Sequence, residues 1–265
     1  MKETLFLKLG GSLITEKAKP HTPRYDVINR LAEEISAAWH KLEHQQLILG
    51  HGSGSFGHVP AKTYGTRQGV RTVEEWNGFI SVWREASALN RIVIEALIEA
   101  GIPAMSFSPS SSVTTNQGNI ISWNLQPIEN ALNHHVLPVV YGDVVFDEFL
   151  GGTILSTEDL FGHLAGHFIP VRILLAGLEP GIWADYPNKT DLLSEIKLSH
   201  LEKMGIKLGG SEDTDVTGGM ASKLDRATDW VRIVPGIEIS IFSGCKSGDI
   251  EAALAGKKIG TLLHA

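Results

Sequence analysis

A chain of 265 residues with 43% apolar and 20% charged side chains has the makeup of a globular protein with a sizeable core, not of a disordered one. Its formal charge of −7 speaks against a nucleic-acid binder that works through a basic surface. The single cysteine, Cys245, excludes an internal disulfide and a cysteine-rich metal site. With no signal peptide at its start and no apolar run long enough to span a bilayer, a cytoplasmic protein is expected, without a membrane partner.

In chain order, Thr4–Leu9 reads as a first strand, followed at once by Gly10-Gly11-Ser12. Glu16–Pro23 is a polar loop, and Asp26 is placed to cap a helix running to about His40. The apolar run Leu47–Leu49 is a buried strand that feeds the loop His51-Gly-Ser-Gly-Ser-Phe-Gly-His58, and Ala61–Arg71 reads as a mobile polar surface connection. Val73–Ala100 carries apolar residues at helical spacing and stops at Gly101. Pro103–Phe107 is a short strand, Ser108–Gln117 a loop, Pro127–Asn133 a short helix and Leu137–Tyr141 a strand. Gly142-Asp143 opens a hairpin made of Val144–Phe146 and Thr153–Leu155, after which Thr157 caps a helix to about Ala165. Val171–Ala176 is a strand, Gly177–Pro187 a connection, Ser199–Met204 a short helix and Gly209–Thr217 an acidic loop. Gly219–Trp230 and Asp249–Ala255 read as helices, Glu238–Phe242 and Gly260–Leu263 as strands. Strands alternating with helices give an α/β fold whose central sheet is mostly parallel and covered on both faces. We expect a single domain over residues 1–265, with a lobe boundary near Pro170.

The stretch that organises the rest is the 51–58 loop. Glycines lack Cβ, so successive N–H groups can converge on one concavity that suits phosphate, above all where a helix N-terminus faces it. Gly52-Ser-Gly54-Ser-Phe-Gly57 formally matches the dinucleotide fingerprint, but it follows the second strand, and Glu74 and Glu75 stand at a helix start where that fold needs an acid at a strand end. No Walker A sequence is present. Gly10-Gly11-Ser12 and the 51–58 loop instead form two strand-end cradles, which suggests two phosphate-bearing groups side by side. Lys8, Lys17 and Lys223 flank glycine turns, where cations neutralise charge on a phosphoryl group in flight. Taken singly, each lysine reads as an ordinary solvated charge, and the alternative for the glycines is tight packing alone; it is the conjunction that points to chemistry. His163 and His167 lack a third metal ligand, and Glu212–Asp215 lacks calcium-loop spacing, so no metal site is expected on the protein. Trp76, Phe79, Ile80 and Trp83 line either an apolar slot or a core-facing stripe.

These motifs resemble those of the amino acid kinase superfamily, and most closely its isopentenyl phosphate kinase branch. The likeness runs through Lys8-Leu-Gly-Gly-Ser12-Leu-Ile-Thr-Glu-Lys17, the 51–58 loop, Tyr141-Gly-Asp143, Ser156-Thr-Glu-Asp159 and Asp215-Val-Thr-Gly-Gly219-Met-Ala-Ser-Lys223. It implies a three-layer α/β/α sandwich and transfer of a phosphoryl group from ATP with Mg²⁺ to isopentenyl phosphate, with no nucleic acid involved. By matched position, Lys8, Lys17, His58 and Asp159 would be catalytic, with His58 gripping the acceptor phosphate and Asp159 orienting the lysines. Lys8, Gly10, Gly11, Ser12, Ser53, Gly219 and Lys223 would bind ATP; Gly52 and Gly57 would bind the acceptor through backbone N–H groups, and Gly142 and Asp143 would border it. A homodimer is implied as well. The chain departs from the pattern at Ser53, where a glycine is usual, and at Ala176-Gly-Leu-Glu179-Pro-Gly-Ile-Trp183, on the nucleotide side. The rival readings are a kinase for another small phosphate or phosphonate such as fosfomycin, and a non-catalytic nucleotide-binding module.

Overall fold

The computed structural model describes residues 2–42, 44–186, 188–199 and 219–265. The helix expected at Ser199–Met204 and the acidic loop at Gly209–Thr217 lie, almost entirely, outside the described residues. The chain begins with β1 (Glu3–Leu9), the one-turn α1 (Gly11–Ile14), α2 (Tyr25–Trp39), β2 (Gln45–His51) and α3 (Gly54–Tyr64). A 3-10 turn (Thr66–Gln68), the long α4 (Val73–Glu99), β3 (Ala104–Ser106), α5 (Pro109–Ser112), β4 (Val113–Asn116) and β5 (Asn119–Trp123) follow. Next come α6 (Gln126–Asn133), β6 (Leu137–Tyr141), β7 (Asp143–Asp147), β8 (Gly151–Leu155), α7 (Thr157–Phe168) and β9 (Arg172–Gly177). The short β10 (Ile182–Trp183), β11 (Leu192–Leu193) and β12 (Glu195–Lys197) precede α8 (Gly219–Ile233), β13 (Glu238–Ser243), α9 (Asp249–Leu254) and β14 (Thr261–His264).

Among the described residues, eight strands form the central sheet in the order β12-β14-β13-β9-β1-β2-β6-β3. Every neighbouring pair is parallel except β13–β14. Side chains of β1 alternate between two cores, as strand geometry requires. Leu5, Leu7 and Leu9 pack with α2 (Leu31, Ile35), α4 (Leu89, Val93) and α9 (Ile250, Leu254). Phe6 points the other way, into the core formed with α7 (Leu160, Phe161) and α8 (Leu224, Trp230). Its ring lies 4.9 Å from that of Phe161, and truncating it to alanine is expected to cost about 3–5 kcal/mol. Three layers result, as the alternation of elements implied. Because β1 sits between β2 and β9, the crevice at the carboxyl ends of these strands is where a ligand site belongs.

Several local expectations need correction. Ser156, not Thr157, caps α7, in a capping box with Asp159. The Thr157 hydroxyl is committed elsewhere, to the His51 carbonyl at 2.6 Å. Asp26 lies in the first turn of α2, not at its cap, where its charge still complements the helix dipole. Glu75 stands at a helix start as expected, closing a capping box with Thr72 at the beginning of α4. The Ser108–Gln117 loop is instead α5 and β4, and β4 turns into β5 through Gln117 and Gly118, both at positive φ. Asp147 holds that turn by accepting their N–H groups at 3.1 and 2.8 Å. Nor is Ala61–Arg71 a loose connection: Ala61–Tyr64 completes α3, Gly65 ends it at φ 61, and Thr66 is fully buried.

Candidate active site

The floor of the site is a seam between two glycine turns. Gly10 donates its N–H to Ala176 O at 2.8 Å, and Gly52 donates to Leu9 O at 3.0 Å, which locks both strand ends together. A Cβ on Gly11 would stand 2.4 Å from Gly54 N, and one on Gly52 would stand 2.9 Å from Gly11 N. Gly54 itself adopts φ +50 with no room beside Thr15, so only glycine fits there. Thr15 ties the turns, its Oγ1 accepting the Ser55 N–H at 3.0 Å and donating to Gly11 O at 2.8 Å. Among the described residues, the N–H groups of Gly11, Ser12, Ser53 and Gly54 are left without hydrogen bonds, and all four residues line one cavity. That is a cradle for an anion, built where two helices begin.

The cavity measures about 390 Å³. It gathers Lys8, Gly10, Gly11, Ser12, Lys17, Gly52, Ser53, Gly57, His58, Gly142 and Lys223, which the sequence scatters over more than two hundred positions. Gly219 opens α8, and Lys223 follows in its second turn. Three expectations change. Gly52 and Gly57 do not offer their N–H groups to a ligand, since Gly52 bonds Leu9 O and Gly57 donates to Ser53 O at 3.4 Å within α3. Asp143 does not line the cavity but is fully buried beside it, and burial pushes its carboxyl up to about 7. Asp159 does not reach Lys8: its carboxylate closes the α7 capping box and meets Arg67 at 3.3 Å and Arg226 at 2.5 Å.

The acid that meets Lys8 is Glu158, at 2.8 Å. Burial alone would raise its carboxyl, but the charge and hydrogen bond of Lys8 and the charge of Lys223 outweigh that and hold it below the usual carboxylate range. Glu158 was missed although a signal existed. Once Ser156 is the cap, Asp159 is consumed as the third helical residue, and Glu158 is the acid left over for the cavity. Arg67, another cavity residue, was missed because its polar surroundings read as surface.

His51, at the end of β2, supports the floor from below. It is fully buried, stacks on Tyr141 with ring centroids 5.5 Å apart, and its Nε2 pairs with the Asn90 amide at 3.0 Å. Burial, with a contribution from Lys8, drops its pKa to about 4, so the ring is neutral and its Nδ1–H is free to donate to Gly52 O at 3.1 Å.

Beyond His58 the wall turns apolar, with Ala61, Val82 and Ile154. Of the four α4 residues considered for this role none lines the cavity: Phe79 is core, Trp76 half-buried, and Ile80 and Trp83 exposed. The lining also includes Leu178, Glu179, Ile182, Trp183 and Phe242, where Glu179 accepts hydrogen bonds from Trp183 Nε1 at 3.0 Å and Lys189 at 2.6 Å. His163 and His167 lie away from this cavity, His163 stacked on Trp123 and His167 paired with Glu129. Among the described residues, no three His, Cys, Asp or Glu side chains group to hold a metal ion, and no helix is long and apolar enough to cross a membrane.

Comparison with known proteins places this arrangement. The chain is 34% identical to an isopentenyl phosphate kinase of Methanothermobacter thermautotrophicus, with 96% of each chain covered. It is 33% identical, again over 96% of each chain, to an isopentenyl phosphate kinase of Methanocaldococcus jannaschii. A solved isopentenyl phosphate kinase structure superposes with a TM-score of 0.80 at 29% identity, covering 98% of this chain and 99% of the other. The profile of the amino acid kinase family matches residues 3–243, and with nearly the whole length accounted for, the chain belongs to that family.

Proposed function

We propose that this protein transfers the γ-phosphoryl group of ATP to isopentenyl phosphate, giving ADP and isopentenyl diphosphate. The observation that carries this reading is that His58 lines one cavity together with Lys8, Lys17 and Lys223, an N–H cradle and the apolar Ala61, Val82 and Ile154. A phosphate monoester with a hydrocarbon tail needs both. Its phosphate is already anionic near neutral pH, so no general base is required.

In the proposed reaction an acceptor phosphate oxygen attacks the γ-phosphorus, a P–O bond forms, the bond to the β–γ bridging oxygen breaks, and ADP leaves. His58 holds the acceptor phosphate. The free N–H groups of Gly11, Ser12, Ser53 and Gly54 receive phosphoryl oxygens. Lys8, kept in place by Glu158, and Lys17 and Lys223 offset the charge that spreads over the phosphates in the transition state. Mg²⁺ brought with ATP would supply further neutralisation of phosphate charge, and Glu158 and Glu179, each paired with a lysine, would leave it to be held mainly by the nucleotide. The base and ribose lie against Leu178–Trp183, so residues 171–265 serve as the nucleotide lobe and 1–170 as the acceptor lobe. The assembly proposed is a homodimer, with the exposed Ile80 and Trp83 of α4 supplying apolar surface; sedimentation velocity tests it.

Steady-state kinetics with isopentenyl phosphate and with fosfomycin tests the reaction. ADP release that depends on isopentenyl phosphate supports it. Turnover of fosfomycin alone favours the rival kinase, and ATP binding without turnover favours the binding module.

A further inference from the structure

Arg67 reaches the cavity from the 3-10 turn between α3 and α4, and no step above uses it. Its backbone is fixed, the Thr153 hydroxyl donating to its carbonyl at 2.9 Å. Its Nη2 donates to Asp159 Oδ2 at 3.3 Å. Its Nη1, by contrast, is buried and has no hydrogen-bond partner among the described residues. A guanidinium nitrogen withdrawn from water without an acceptor is a costly arrangement, and in a cavity already lined by cations and free N–H groups it asks for an anion.

The charge around Arg67 points the same way. Asp159 Oδ2 already accepts from Ser156 N at 2.9 Å and Ser156 Oγ at 2.7 Å, while its Oδ1 meets Arg226 at 2.5 Å. One carboxylate thus faces two guanidinium groups, which leaves positive charge uncompensated, and the bond to Arg67 is the longest of the four. The turn that carries Arg67 packs on β8 and α3, the elements that supply Ile154, His58 and Ala61. Arg67 therefore stands at the acceptor end.

We propose that Arg67 is a ligand of the acceptor's phosphate monoester, its Nη1 donating to a non-reacting phosphate oxygen, and that Asp159 is its positioning residue. Because Nη1 is closed to solvent as it stands, the guanidinium turns toward the cavity as the phosphate enters, with Asp159 steering it, and offers a planar donor that a lysine cannot copy. This inference rests on the acceptor reading above.

The test is Arg67→Gln and Arg67→Lys, with Asp159→Asn as the positioning variant, measured by steady-state kinetics and by calorimetric titration of isopentenyl phosphate. Arg67→Gln is expected to raise both the KM and the Kd for isopentenyl phosphate by at least about 30-fold while the KM for ATP stays within about twofold. Arg67→Lys should recover part of the loss, and Asp159→Asn should raise the acceptor KM by less than Arg67→Gln does. The rise in melting temperature that isopentenyl phosphate induces in the wild type should vanish in Arg67→Gln, a readout that a purely structural role would leave alone. Wild-type acceptor affinity in Arg67→Gln, parallel loss of ATP and acceptor affinity, or failure of both Arg67 variants to fold would each overturn the proposal. If the wild type neither binds nor phosphorylates isopentenyl phosphate, the acceptor reading has failed by itself. Titration with inorganic phosphate then decides Arg67: binding that Arg67→Gln abolishes upholds an anion site there, and its absence or persistence in the variant overturns it.

Discussion

Glu158 Oε1 lies 2.8 Å from Lys8 Nζ, and both side chains are nearly withdrawn from solvent. Glu158→Gln keeps the shape and removes the charge, so Lys8 loses the partner that fixes its head group at the cradle. A drop in kcat of about 100-fold is expected, with a much smaller change in the KM for ATP. Steady-state kinetics checks it, and a kcat within twofold of wild type would deny Glu158 that role.

On the proposed role of His58 in holding the acceptor phosphate, His58→Ala should lower kcat by about 10²–10³-fold while leaving ATP affinity close to wild type. Lys8→Ala should be at least as damaging to turnover without loss of the fold. Nucleotide titration and a melting curve beside the kinetics separate these outcomes from unfolding. Equal turnover in His58→Ala would remove that residue from the chemistry.

The seam between the glycine turns gives a steric prediction. Gly11→Ala puts a methyl 2.4 Å from Gly54 N, which forces the turns apart. We expect a loss of about 1–3 kcal/mol in stability and at least a tenfold weaker affinity for ADP. Gly166→Ala is the control: it lies in α7 with nothing within 4 Å of the added carbon, and should stabilise by up to about 1 kcal/mol. Indistinguishable melting temperatures for the two variants would contradict the packing described.

Two buried groups set opposing pH dependences. Asp143 has a folded pKa of about 7 against an ordinary 3.8, so its contribution to stability is full below the ordinary value and is lost as pH rises through about 7. His51 has a folded pKa of about 4 against 6.5, so its contribution is full above 6.5 and is lost as pH falls through about 4. Between those limits the two slopes oppose each other. Asp143→Asn should therefore make the melting temperature fall more steeply than wild type between pH 6.5 and 4.5, a window inside both shifts. Thermal melts across that range decide it, and parallel curves would contradict the assignment.

The parts of the structure that were legible in the sequence are those with a local cause. The run Leu5–Leu9 declares a strand buried on both faces, and Gly101 declares a helix end. The lysines and His58 were legible as types beside glycine turns, but their meeting in one cavity depends on the order of β1, β2 and β9, which no local pattern encodes. Glu158 and Asp159 show the limit most clearly. They are adjacent acids, and which one serves the cavity follows from which residue caps α7, a matter settled by Thr157 bonding the His51 carbonyl across the sheet. Arg67 lay hidden for a related reason: a polar stretch looks exposed until Thr66 and Thr153 are seen to pin it inward.

Where Gly11 and Gly54 meet, main chain rests on main chain with no side chain between them to compress or rotate. The base of the pocket accordingly behaves as a single rigid plate, incapable of hinging along the join. Whatever room an incoming ligand needs must then come from the flanks of the pocket and not from its base.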